Sequence, residues 1–158
     1  MLSSILMLAA ASAGWVYDKS VDQFTDAVSH SARAVSKSGK MSVEFSCGGN
    51  GKAAYSFVID GGFGGEYVGG DGIKRIPIDI RAGKRAAVSI EVLGMRAIAP
   101  SYQGQGRDFD RIDAEVVSGE PLMIVRAQTM TGGFATESFD MKGAQQAIAK
   151  AKAACGLS

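Results

Sequence analysis

A chain of 158 residues with 17 Lys and Arg against 16 Asp and Glu carries a formal net charge of +1. That balance gives no net field and so no electrostatic case for nucleic acid or an anionic membrane, which would need clustered Lys and Arg. The length fits one domain able to bury about two-thirds of its unfolded surface. Its 21 glycines are roughly twice the average share and lie between apolar stretches, as in a strand-and-turn protein.

Residues 2–13 are apolar or small throughout, lack charge, and end in Ala11-Ser12-Ala13 before Gly14-Trp15. The stretch is too short to span a bilayer, and small residues stand where a signal peptidase requires them. Residues 1–13 therefore read as an export signal and 14–158 as a single β-rich domain, periplasmic or secreted, with no stable membrane insertion once the signal is removed. The first charged residue is Asp18, so the signal lacks a basic end; a buried N-terminal helix or strand is the competing reading.

Trp15-Val-Tyr17 begins the domain as an edge strand, and a second strand is expected within Asp26–Ser38. Met41, Val43, Phe45 and Cys47 alternate with Ser42, Glu44 and Ser46, the period of a half-buried strand. Gly48-Gly-Asn-Gly51 then predicts a tight hairpin, with Ala53–Ile59 as the returning partner. Gly61–Gly72 links this strand to the next, Ile73–Arg81, which turns at Ala82-Gly83 into Ala86–Leu93. Pro77 has no amide to give a ladder, which argues that this strand, or that part of it, lies on an edge. Phe109, Ile112, Val116 and Val117 predict a short helix over Asp108–Val117. Leu122–Thr129 and Phe134–Phe139 form a hairpin around Gly132-Gly133. In the tail, Ala144, Ala147, Ile148, Ala151 and Ala154 form one helical stripe, with Asp140 as the expected cap and Gly156 as the stop. The fold class is thus mainly β: an antiparallel β-sandwich or bent sheet with a short internal helix and a C-terminal helix.

Cys47 ends a core-facing strand and Cys155 ends the terminal helix. Export favours one intramolecular disulfide between them over two buried free thiols. The bridge would staple a weakly packed alanine-faced helix to the sheet.

Candidate chemistry is thin. Gly61–Gly72 has the glycine content of a phosphate loop but joins two strands and lacks the following Lys-Ser or Lys-Thr. A flexible hairpin is the simpler reading, and Phe63 and Tyr67 make it a candidate partner-binding loop. Ser29-His30-Ser31 contains the one histidine, but adjacent Ser and His side chains in an extended chain point apart, and no glycine elbow presents either serine. A solvated strand histidine is expected. Asp108, Asp110 and Asp113 lack the spacing and bidentate Glu of a calcium loop. One His and two paired Cys leave no metal set. Lys74, Arg75, Arg81, Lys84 and Arg85 read as a solvated turn before an anion site. No catalytic residue, cofactor site or metal site is expected.

Trp15, Phe24-Thr25-Asp26, a strand ending in Cys47, Val125-Arg126, Phe139-Asp140-Met-Lys-Gly143 and Ala154-Cys155-Gly156 together resemble a diffuse group of small exported bacterial proteins. These are the type VI secretion-associated proteins of the VasI kind. The C-terminal pattern is the most specific part, while the glycine-rich middle departs from the group. The resemblance implies the same fold and compartment and a role in the envelope or in secretion, and it carries over no catalytic residues. The expected function is a non-enzymatic exported binding or accessory protein whose partner is an envelope or secreted protein. An inhibitor or immunity protein for a cell-wall hydrolase is the alternative, and a hydrolase using His30 ranks third.

Overall fold

The computed structural model describes residues 14–48, 51–67, 74–93, 98–101 and 106–157. The expected signal, residues 1–13, the centre of the expected Gly48–Gly51 turn, and residues 68–72 of the glycine-rich link lie outside them. The chain runs β1 (Val16–Val21), β2 (Val28–Val35), β3 (Met41–Gly48), β4 (Ala53–Ile59), β5 (Glu66–Tyr67), β6 (Lys74–Ala82), β7 (Val88–Leu93), β8 (Ile98–Pro100), α1 (Gly106–Val116), β9 (Leu122–Gln128), β10 (Phe134–Asp140) and α2 (Ala144–Ala154). The strands form one sheet in the order β1-β2-β3-β4-β8-β7-β6-β9-β10, with β5 beside β6, and every pairing is antiparallel. This is the bent-sheet form of the expected architecture. The curl brings β10 back toward the first strands: Lys37 N donates to Ser138 O (2.8 Å) and Trp15 N to Lys142 O (2.9 Å).

Alternation determines which side chains enter the core. On β3, Met41, Val43, Phe45 and Cys47 are buried while the residues between them are half-exposed, so one face of the sheet is apolar and the other polar. Ile76, Ile78 and Ile80 of β6 and Met123, Val125 and Ala127 of β9 continue the apolar face. Both helices pack on it, α1 against β4, β6, β7 and β8, and α2 against β1, β2 and β3. Phe109, Ile112 and Val116 of α1 join Ala144, Ala147, Ile148 and Ala151 of α2 in one contiguous core. Cys47 and Cys155 are bonded, with Cα atoms 6.2 Å apart across a sequence separation of 108.

Pro77 marks the part of β6 that is open on one flank, and two expectations for α2 are corrected. β6 is an interior strand, flanked by β7 on one side and by β5 and β9 on the other. Pro77 is tolerated because β5 pairs with β6 up to Arg75 and β9 from Ile78 onward; among the described residues its stretch has no ladder partner on that flank. Asp140 does not cap α2. It ends β10 and accepts from Lys142 N (2.9 Å), while Gly143, in left-handed conformation, occupies the N-cap without a side-chain bond. Ala154 is exposed, so the buried stripe of α2 ends at Ala151. The stop at Gly156 (φ 69°) is a Schellman motif, with Gly156 N donating to Ala153 O and Leu157 N to Lys152 O (2.9 Å).

Candidate interaction surface

Within the loop expected to carry the contacts, Phe63, Glu66 and Tyr67 pair with the sheet. Phe63 is only 4% exposed and bridges to Thr129, so its expected exposure is corrected: the ring lies in the core. Gly64 N donates to Gln128 O (2.7 Å), and a Cβ at Gly64 would lie 2.4 Å from Thr129 O. Here glycine is needed for close approach of one backbone to another. Tyr67 lies in β5, paired with Lys74.

His30 is half-buried, not solvated. Its Nδ1 lies 2.8 Å from the Tyr17 hydroxyl, the two rings stack at 6.0 Å, and Lys150 Nζ sits 4.3 Å from the centre of the Tyr17 ring. In register His30 stands opposite Cys47, so the group packs beside the disulfide under the end of α2. Ser29 and Ser31 project from the other face of β2, where Ser29 Oγ bonds Ser20 Oγ at 2.6 Å.

Members of the charged clusters are held within the fold. Arg85 pairs with buried Glu115 (3.0 Å), whose other oxygen accepts from Ala82 N (2.8 Å). Arg75 pairs with Glu91 (3.5 Å). Asp113 joins three elements, accepting from the Tyr55 hydroxyl of β4 (2.7 Å) and from Lys152 of α2 (2.6 Å). Burial, then the Asp113 carboxylate, raises the Tyr55 phenol well above its ordinary 10.0. Among the described residues no cluster of His, Cys, Asp and Glu is arranged to hold a metal. A groove of about 460 Å³ runs between the turn after α1 and the start of α2, crossed at one end by Gln145 Nε2 donating to Val117 O (2.8 Å).

The feature that stands out is the tip of the β1–β2 hairpin. Phe24 is 99% exposed, above Val21 at 52% and Val28 at 37%, which face each other across the ladder. The turn beneath is tightly tied. Asp22 Oδ1 accepts from Phe24 N (2.9 Å), Thr25 N (2.8 Å) and Thr25 Oγ1 (3.0 Å). Asp26 N donates to Asp22 O and Asp22 N to Ala27 O, both at 2.9 Å. Asp26 takes a left-handed conformation, φ 55°, which Asp and Asn tolerate better than other non-glycine residues. Bonds from the Phe24 and Thr25 amides, then from the Thr25 hydroxyl, hold the Asp22 carboxyl below its ordinary 3.8.

A second exposed pair contrasts with it. Phe134, 62% exposed, lies under the Arg126 guanidinium at 4.3 Å, and Met130 rests against Gly62, where a Cβ would meet its Sδ at 2.8 Å. Those side chains have partners within the fold; the Phe24 ring projects beyond it. Phe24-Thr25-Asp26 enters the sequence reading only through the resemblance. The local signal was present in Asp22, placed two and three residues before the amides it accepts from, an Asx-type turn that lifts the intervening residue outward.

No helix of the described residues is long and apolar enough to cross a membrane. Comparison of the chain with protein-family models, with curated proteins and with solved structures gives no match.

Proposed function

We propose that this chain is a non-enzymatic exported binding protein that docks a protein of the cell envelope, or a secreted one, through the tip of its β1–β2 hairpin. The observation that carries the reading is Phe24, almost wholly exposed on a hydrogen-bonded turn. Exposed aromatics on ordered scaffolds are favoured anchors because they contribute contact area at low entropic cost. The disulfide suits an oxidising compartment, as does the apolar opening segment, and the resemblance to VasI-like proteins favours a secretion-associated role.

The test is a photo-crosslinking residue at position 24 in cells, with one at Val58 on the opposite, polar face as the control. A discrete protein adduct at position 24 and none at 58 supports the reading; no adduct at 24 removes it. The projecting tip also gives the inhibitor reading a concrete form, in which Phe24 enters the cleft of a wall hydrolase. Stoichiometric inhibition of a lysozyme-type enzyme, lost on Phe24→Ala, would decide for that role.

A further inference from the structure

We infer that the surface receiving the Phe24 tip is a protein pocket with an apolar floor and a cationic rim; this rests on the binding role proposed above and specifies the partner's chemistry. Phe24, Val21 and Val28 form the apolar stalk. Along the hairpin Asp18, Asp22 and Asp26 are exposed, and Lys19 is the one Lys or Arg of residues 18–28. The turn itself keeps Asp22 ionised, because the amides it accepts from favour the charged form.

Those carboxylates decide between occupants. A second copy of this chain meeting tip to tip would set carboxylate against carboxylate. An anionic lipid surface would repel the tip in the same way. A wholly apolar pocket would strip water from the carboxylates with no compensating bond. A pocket rimmed by Lys or Arg takes the ring and meets the charges of Asp22 and Asp26. In that arrangement the ring sets the lifetime of the complex and the rim sets the rate of encounter. Asp26 is then a specificity-determining residue, because Asp22 is committed to the turn.

The test uses the protein crosslinked at position 24, identified, purified and titrated against the mature chain by biolayer interferometry between 50 and 500 mM NaCl. Association should slow as salt rises. Asp26→Asn, which keeps the left-handed conformation accessible, should slow association about threefold at low salt and leave dissociation unchanged, while Lys19→Glu should speed it by a similar factor. Phe24→Ala should accelerate dissociation roughly thirtyfold or more. Melting temperatures within a few degrees of wild type would establish that each variant is folded. Salt-independent association, or tighter binding by Asp26→Asn, with Phe24→Ala still disruptive, overturns the cationic rim and leaves the binding role standing. No adduct at position 24 removes both. Phe24-dependent sedimentation with phosphatidylethanolamine–phosphatidylglycerol vesicles would replace the protein pocket by a lipid surface.

Discussion

Replacing Cys47 and Cys155 together by alanine should lower stability by about 5 kcal/mol, the chain-entropy value for a crosslink of this span. The bond closes a sequence separation of 108 residues. At the usual 2–4 °C per kcal/mol for a domain of this size, the melting temperature should fall by about 10–20 °C. The loss should be concentrated first in α2. Of its buried side chains, Ala144, Ala147 and Ala151 offer single methyl groups and Ile148 alone is large. Full burial of an Ile contributes about 1.5–3 kcal/mol, whereas ordering each backbone residue costs about 1–2 kcal/mol. Without the bond, α2 keeps the Lys152–Asp113 pair, the Schellman turn and the packing of Leu157.

The assay is urea and thermal unfolding of the double variant, with hydrogen exchange read along residues 144–157. Exchange there should accelerate at temperatures where β3 and β9 remain protected. The denaturant slope should also steepen, because the unfolded chain is no longer held compact by its crosslink. A melting temperature within about 3 °C of wild type, with protection of α2 unchanged, would refute the reasoning and assign the helix's stability to packing alone.

Tyr55→Phe should cost about 1.5–3 kcal/mol near neutral pH, since it removes a bond from a fully buried hydroxyl to the Asp113 carboxylate. It should also flatten the alkaline limb of stability. The folded state keeps the Tyr55 proton well above 10.0 while the unfolded chain releases it near that value, so wild-type stability falls as pH rises past 10. Urea unfolding from pH 8 to 11 compares the two slopes, and parallel curves would contradict the linkage. Gly64→Ala should destabilise by about 1–3 kcal/mol as its Cβ meets Thr129 O. Gly61→Ala, with open space around its Cβ and φ of 80°, should cost about 1 kcal/mol; equal losses in the two melts would remove the close-packing account of the loop. Phe24→Ser should shift stability by less than about 0.5 kcal/mol, and a larger drop in the melting midpoint would mean that the ring supports the fold.

The elements the sequence revealed are those fixed by local period. Met41 to Cys47 alternates so regularly that its strand, its buried face and the position of Cys47 all follow. Phe109, Ile112 and Val116 likewise place α1, and Gly132-Gly133 places the last hairpin. What stayed hidden depends on which strands become neighbours. Pro77 signals a stretch open on one flank, but nothing near it tells that β9 will cover β6 from Ile78 onward. Nothing near Phe63 tells that its segment will bridge to Thr129 and carry the ring into the core. The glycines around Phe63 suggested freedom, but Gly64 serves close contact. His30 looked solvated because its partner Tyr17 comes from another strand, with Lys150 of a helix lying over the Tyr17 ring.

The same distinction explains why Phe63 reads in sequence as a contact residue and yet lies in the core. A glycine-rich segment with aromatics is conspicuous in sequence, yet glycine also permits backbones to pack flush, and an aromatic in such a segment is drawn inward when a sheet passes over it. The β1–β2 turn has no glycine and one aromatic. Its order comes from Asp22, Thr25 and Asp26, whose polar groups bond one another and leave the ring of Phe24 without a structural task. Leaving a Phe in water forgoes about 1.5–3 kcal/mol of burial. Any polar residue would satisfy the turn equally well, so a ring exposed on a hydrogen-bonded turn is best accounted for by a surface that covers it in another molecule.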